Sequence, residues 1–317
     1  MDMFEHLFGH QQSMPELLPA IERAIAGVEP RLKQTRGYPK IYRKAVSTAL
    51  DYAHSLAANV PGPIEVNRQS YAKDAFVHAL FPSIDSVLDA FCTSRALQDH
   101  HLEFPAADAC YALMGMRRRE KTTLGMEMSG HMLQRDVIQN VVYFTCHTIE
   151  NPAPSEQQAR ELVALSFFDS LTSQVAKQIE ARKQGTQLQR REKDLLVDRL
   201  RVADAQTRPA LEKELSNLLA SMQSSISSLD LRNYIEDFEA VLLNPGQYLR
   251  LDQVPINMDS MGIRRKSDDA DPEEAIIFNE LIGFDRRDWT VTMVYCSNIP
   301  FETFASKLEK AYRELAI

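Results

Sequence analysis

The stretch Gln-Asp-His-His-Leu-Glu-Phe, residues 98–104, sets two adjacent histidines between an aspartate and a glutamate. Imidazole and carboxylate groups together form a ligand set for zinc and related ions. Neighbouring side chains on a helix point about 100° apart, so His100 and His101 are badly placed to share one ion. A third ligand has to come from elsewhere in the chain, and His131 completes the metal set considered, with His147 or a cysteine as further candidates. The segment also ends just before Pro105, and histidine near a helix C-terminus is favoured by the helix dipole. A polar helix terminus is therefore the preferred reading. His6 and His10 have the i, i+4 spacing of a helix face, but lie at a chain end without cysteine or carboxylate partners.

Glu127, Ser129 and His131 resemble the residue types of a hydrolase. They alternate along an expected strand, which places successive co-facial side chains about 7 Å apart. A nucleophile and its base need about 3 Å, so a solvated strand face is expected instead. No P-loop, GxGxxG, HExxH, GxSxG or EF-hand loop occurs.

Two basic groups could grip phosphate: Arg117, Arg118 and Arg119 in one segment, Arg190 and Arg191 in another. Arg264, Arg265, Lys266, Arg286 and Arg287 would add to the first group if a sheet brought them beside it. The segment carrying Arg190 and Arg191 has no aromatic residues to stack on bases, which weakens single-strand recognition. The whole chain carries 36 basic and 44 acidic residues, a net charge of −8, which argues against coating of nucleic acid by overall charge and leaves a local basic patch as the alternative.

These residues must be positioned by elements that the pattern predicts. Apolar residues at helical spacing cover 15–35, 38–60, 68–80, a segment from Ser83 onward, and 106–118. Alternation of Leu124, Met126, Met128 and Met132 with polar neighbours predicts a strand over 122–132. A β-branched and aromatic run predicts another over 136–149, joined to the first by a turn at Gln134-Arg135-Asp136. Ser155 and Gln158 form a capping-box pattern that opens a long helical region reaching Leu243, broken near 203–211. Leu188, Leu195, Leu196, Leu200 and Ala203 on the first arm and Leu211, Leu215, Leu218 and Met222 on the second suggest a seam between antiparallel arms. Residues 173–203 hold eight basic and four acidic side chains (+4), and residues 204–243 three basic and seven acidic (−4), so the arms complement each other. Strands are expected over 247–256, 275–284 and 289–298, and a final amphipathic helix after Pro300.

The expected fold class is α+β. Residues 1–119 form a helical region. Residues 120–154 plus 244–317 form one mixed or antiparallel sheet with a C-terminal helix. Residues 155–243 form an inserted long antiparallel helical hairpin, coiled-coil-like. Cys92, Cys110, Cys146 and Cys296 form no CxxC pair and are too sparse for a disulfide scaffold, so reduced thiols in the cytoplasm are expected. No secretory signal, membrane partner or cofactor is expected.

The function expected is protein–protein interaction or scaffolding, by self-association or partner binding through the hairpin. Phe167, Phe168, Leu171, Leu231, Ile235 and Phe238 are its candidate anchors. The alternatives are a metal-dependent hydrolase or nuclease with dispersed ligands, and a nucleic-acid-binding accessory protein.

Overall fold

A computed structural model describes residues 13–105, 107, 109–129, 132–227, 229–259, 261–265, 275–284 and 288–297. The chain divides into two compact units, one drawn from Met1–Ala53 and Ser166–Tyr248, the other from His54–Leu165 and Leu249–Ile317. The fold is α+β, with one sheet.

The first unit is helical. Helix α1 (Met14–Val28) begins where the Ser13 N–H donates to the Glu16 carboxylate at 2.8 Å, satisfying one of the orphan donors of a helix start. Its buried face is Leu17, Ile21, Ala24 and Ile25, spaced by three and four. The first part of α2 (Arg43–Ala58) follows. The remainder comes from α7 (Glu156–Val202) from Ser166 onward, α8 (Arg208–Ser227) and α9 (Leu231–Leu242). Phe168 and Phe238 are fully buried, and the Tyr42 ring meets Phe238 edge-on at 5.2 Å while its hydroxyl donates to the Leu32 carbonyl at 3.0 Å. That bond meets the polar need of a buried phenol.

The second unit holds the sheet. Short helices α3 (Arg68–Lys73), α4 (Ala75–Leu80), α5 (Ile84–Cys92) and α6 (Arg95–Glu103) begin at Asn67, Asp74, Ser83 and Ser94, each side chain accepting from the first turn's N–H groups. Strands β2 (Ala109–Ser129) and β3 (Met132–Ala153) precede the long helices, while β4 (Leu249–Ile256), β5 (Ile276–Gly283) and β6 (Asp288–Ser297) follow them. The order β3-β2-β6-β5-β4 is antiparallel throughout, and short β1 (Ile64–Glu65) adds to β6 in parallel. Ala109–Met116 pair with Thr290–Ser297, so two segments far apart in sequence share one sheet.

Three expectations are corrected. Residues 109–118 are strand, not helix. Cys110, Ala112, Met114 and Met116 pack into the core beside Phe144, Phe278 and Val294, a period of two that pairing with β6 enforces over the helical propensity of Ala, Leu and Met. Arg117, Arg118 and Arg119 consequently lie within β2 rather than at a helix end. Gln134-Arg135-Asp136 is no turn: β3 runs through it, the last pair being Ser129 with Met132. Asp136 instead has φ 61° at an irregularity between Gly125 and Met126, where an extra residue is absorbed by a left-handed backbone. The expected final helix after Pro300, most of the charged loop 264–274, His6, His10 and His131 fall outside the described residues.

Candidate interaction surface

The histidines come first. Helix α6 places His100 on its inner face, 7% exposed, with its ring 4.9 Å from Phe104. Burial holds its pKa below the ordinary value, with Glu103 opposing. His101, one residue on, points elsewhere and is half-buried. His147 lies in β3 with Nε2 2.8 Å from the Leu80 carbonyl and its ring stacked on Phe81. Among the described residues no three His, Cys, Asp or Glu side chains are grouped to hold a metal ion.

The first basic group is consumed locally. The Arg117 guanidinium lies 4.2 Å from the centre of the Trp289 ring and donates to the Asp288 carbonyl at 2.7 Å. Arg118 donates to Glu280 at 2.6 Å and pairs with Glu120 at 2.5 Å; Arg264 lies 3.8 Å from the other oxygen of Glu120. The sheet thus gathers Arg118 and Arg264, but with two carboxylates between them. Arg119 is exposed beside them. Arg190 and Arg191 sit on exposed positions of α7 and belong to the other unit, so the two basic groups are not parts of one unit.

A shallow groove of about 520 Å³ is lined by His54, Ala57, Ala58, Glu156, Gln157, Arg160 and Glu161. Its cation is engaged. Arg160 donates to the carbonyls of Ala57, Val60 and Gly62 at 2.8, 3.0 and 3.1 Å and to Glu156 at 2.8 Å. These are carbonyls at and beyond the end of α2, where a helix leaves acceptors unsatisfied. Arg160 is a structural clamp, and it was missed in the sequence because its partners are about 100 residues away.

Apolar side chains stay exposed on the hairpin, as they do at Leu102, Leu124, Met126, Ile138 and Met261 in the other unit. α7 and α8 are joined by residues 203–207, and Gln189 donates to the Ser221 hydroxyl at 3.0 Å across them. Leu196, Leu211 and Met222 are buried. Arg182 meets Asp237 at 2.7 Å, the ion pair that joins the basic arm to the acidic one. Burial pushes the Asp237 carboxyl above its ordinary value, with Arg182 opposing. Of the anchors singled out in the sequence, Phe167, Phe168, Leu171 and Phe238 are buried within their own unit, and Leu231 and Ile235 are half-buried.

Three large apolar residues of α7 in this unit are not, and neither is Leu219 of α8. Leu188, Leu195 and Val202 are 62%, 66% and 87% exposed. They recur every seventh residue along one outer face of α7, whereas Leu196 and half-buried Leu200 and Ala203 lie on the inner face. The expected seam of Leu188, Leu195, Leu196, Leu200 and Ala203 therefore resolves into two faces. A seven-residue repeat keeps side chains in line along a helix to within about 20° per repeat, so Leu188, Leu195 and Val202 form a stripe.

No protein-family model, no curated protein and no solved structure matches this chain.

Proposed function

We propose that this chain is an interaction and assembly protein of the cytoplasm, acting through the helical hairpin of α7 and α8. One observation carries the reading: Leu188, Leu195 and Val202 are left exposed in register on a helix whose opposite face is already packed. A lone exposed leucine is ordinary, but an aligned apolar stripe on a helix is the usual form of a helix-pairing surface. All four cysteines are free, and no described helix is long and apolar enough to cross a membrane. The metal-enzyme alternative gains no ligand cluster among the described residues. The nucleic-acid alternative has Arg117 and Arg118 already occupied by protein acceptors.

Sedimentation velocity of the full chain tests this. The native protein is expected to sediment heavier than 36.0 kDa with rising concentration. The variant with Leu188, Leu195 and Val202 all changed to serine is expected to remain at the monomer mass with an unchanged circular dichroism spectrum. Identical sedimentation of the two proteins at every concentration defeats the reading.

A further inference from the structure

The stripe has a charge pattern that selects its partner. From Ala181 to Val202 the outer face of α7 reads Ala181, Gly185, Leu188, Arg191, Glu192, Leu195, Asp198, Arg199 and Val202, all exposed. At 1.5 Å per residue it is about 33 Å long. Arg191 and Glu192, between the two leucines, are exposed and make no hydrogen bond or ion pair among the described residues.

We propose that this face pairs with the same face of a second copy of the chain, antiparallel, with the two-fold axis between Arg191 and Glu192. The proposal rests on the interaction reading above and adds its partner and register. In this register Leu188 of one copy meets Leu195 of the other, twice. Arg191 of each copy meets Glu192 of the other, also twice. Val202 reaches the end of the face where Ala181 and Gly185 stand, and Gly185 has open space where a Cβ would be.

Two other simple arrangements set like charges together, and one centred on Leu188 leaves Arg191 facing Gly185 with no charge partner. An antiparallel pair centred on Leu195 also stacks leucines, but opposes Arg191 to Arg199 and Glu192 to Asp198. A parallel in-register pair sets Arg191 against Arg191 and Asp198 against Asp198. Like charges facing across a helix seam are disfavoured, and charges flanking the seam set orientation and partner. A two-fold contact of one patch with itself is also the commonest way for a chain to dimerise. Three apolar residues per copy make a small interface, so the pairing is weak, with Kd in the micromolar range or above, on the order of that seen for small transient contacts.

Cysteine cross-linking reads the register in the full chain. Exposed Cys146 is first changed to serine to remove the accessible native thiol. Leu188→Cys and Leu195→Cys proteins are then made separately and oxidised alone and as a mixture. The proposal expects the mixture to yield a disulfide-linked 188–195 heterodimer, at least about tenfold above either homodimer. Fast 195–195 linkage by Leu195→Cys alone overturns the register while leaving stripe-dependent assembly standing. Absence of any inter-chain linkage, with the native chain monomeric, overturns both. Charge reversal adds an independent arm. Arg191→Glu is expected to weaken the dimer about tenfold or more, and the exchanged Arg191→Glu with Glu192→Arg to restore it. A dimer indifferent to Arg191→Glu overturns the pairing.

Discussion

Lys183 Nζ lies 2.6 Å from Glu29 Oε2, tying the residue that ends α1 to the middle of α7. Glu29 also takes Arg31 at 3.1 Å and is 6% exposed. Burial alone would raise its pKa, but the hydrogen bonds from Arg31 and Lys183 outweigh burial and bring it down from 4.5 to about 2. A depressed carboxylate pKa stabilises the fold above the unfolded value and loses that contribution as pH falls through the folded one. Stability is therefore expected to decline between pH 4.5 and about 2. Glu29→Gln is expected to lower stability by roughly 1–3 kcal/mol at pH 7, since it leaves Lys183 without its charge partner. Urea unfolding of both proteins at pH 7 and pH 3 checks this, and the difference between them should shrink at the lower pH. An equal gap at both values would show that the carboxylate charge is not the cause.

Arg160 offers a second test. Its guanidinium supplies donors to three carbonyls near the end of α2. Arg160→Ala strands those acceptors and is expected to lower stability by about 1–3 kcal/mol, whereas Arg160→Lys, with one point charge in place of a fork, recovers only part of it. Thermal melts of the three proteins decide. A lysine variant as stable as the native chain would mean that the fork geometry is unimportant.

Arg160 and Glu29 also mark where reading the sequence stops. The strands from Leu249 onward, the hairpin and its break near Asp204 were legible because local periodicity and punctuation agree with the final packing. Residues 109–118 were not, because Met114 and Met116 are buried by β6, about 180 residues away, and nothing in their own neighbourhood announces it. The stripe was half legible. Leu188 and Leu195 were visible as hairpin apolar residues, but which face they occupy depends on the rotation of α7 against α8. Leu211 and Met222 are buried on that other helix, outside the sequence of α7.

The thiols should separate cleanly by reactivity. Cys146 is exposed at a bulge of β3, with φ 55°. Cys110 and Cys296 are direct partners across β2 and β6, both buried. Contact with Cys110 and burial push the Cys296 thiol well up, which lowers its thiolate fraction and its reactivity. A thiol reagent is expected to titrate one cysteine per native chain quickly and all four after denaturation. Rapid labelling of Cys110 or Cys296 in the native protein would mean that the β2–β6 pairing opens readily.

Arg117 over Trp289 can be watched directly, because Trp289 is the only tryptophan in the chain. Arg117→Ala removes the cation from the ring face and is expected to shift the emission of Trp289. With Arg117 and Arg118 engaged, a labelled DNA duplex is expected to show no binding that falls steeply with salt. Tight, salt-sensitive binding lost on changing Arg119 and Arg191 would reinstate the nucleic-acid reading.

His147 completes the acid side of the stability profile. Its Nε2 faces the Leu80 carbonyl, which can only accept, so Nε2 carries the proton. Burial holds the ring's pKa below its ordinary 6.5, against the smaller opposing effect of that hydrogen bond. The folded chain thus prefers neutral His147, while the unfolded chain protonates at the ordinary value. The unfolded state binds more protons as pH falls below 6.5, so stability is expected to fall with it, before the loss attributed to Glu29 begins. His147→Gln keeps a donor near Leu80 without a titrating ring, and its decline between pH 7 and pH 5 is expected to be smaller than the native chain's, the remainder coming from buried His100. Chemical unfolding at pH 7, 6 and 5 separates the two. If the native chain is equally stable at all three, or the glutamine variant shows the same decline, the buried neutral imidazole is not the group that titrates.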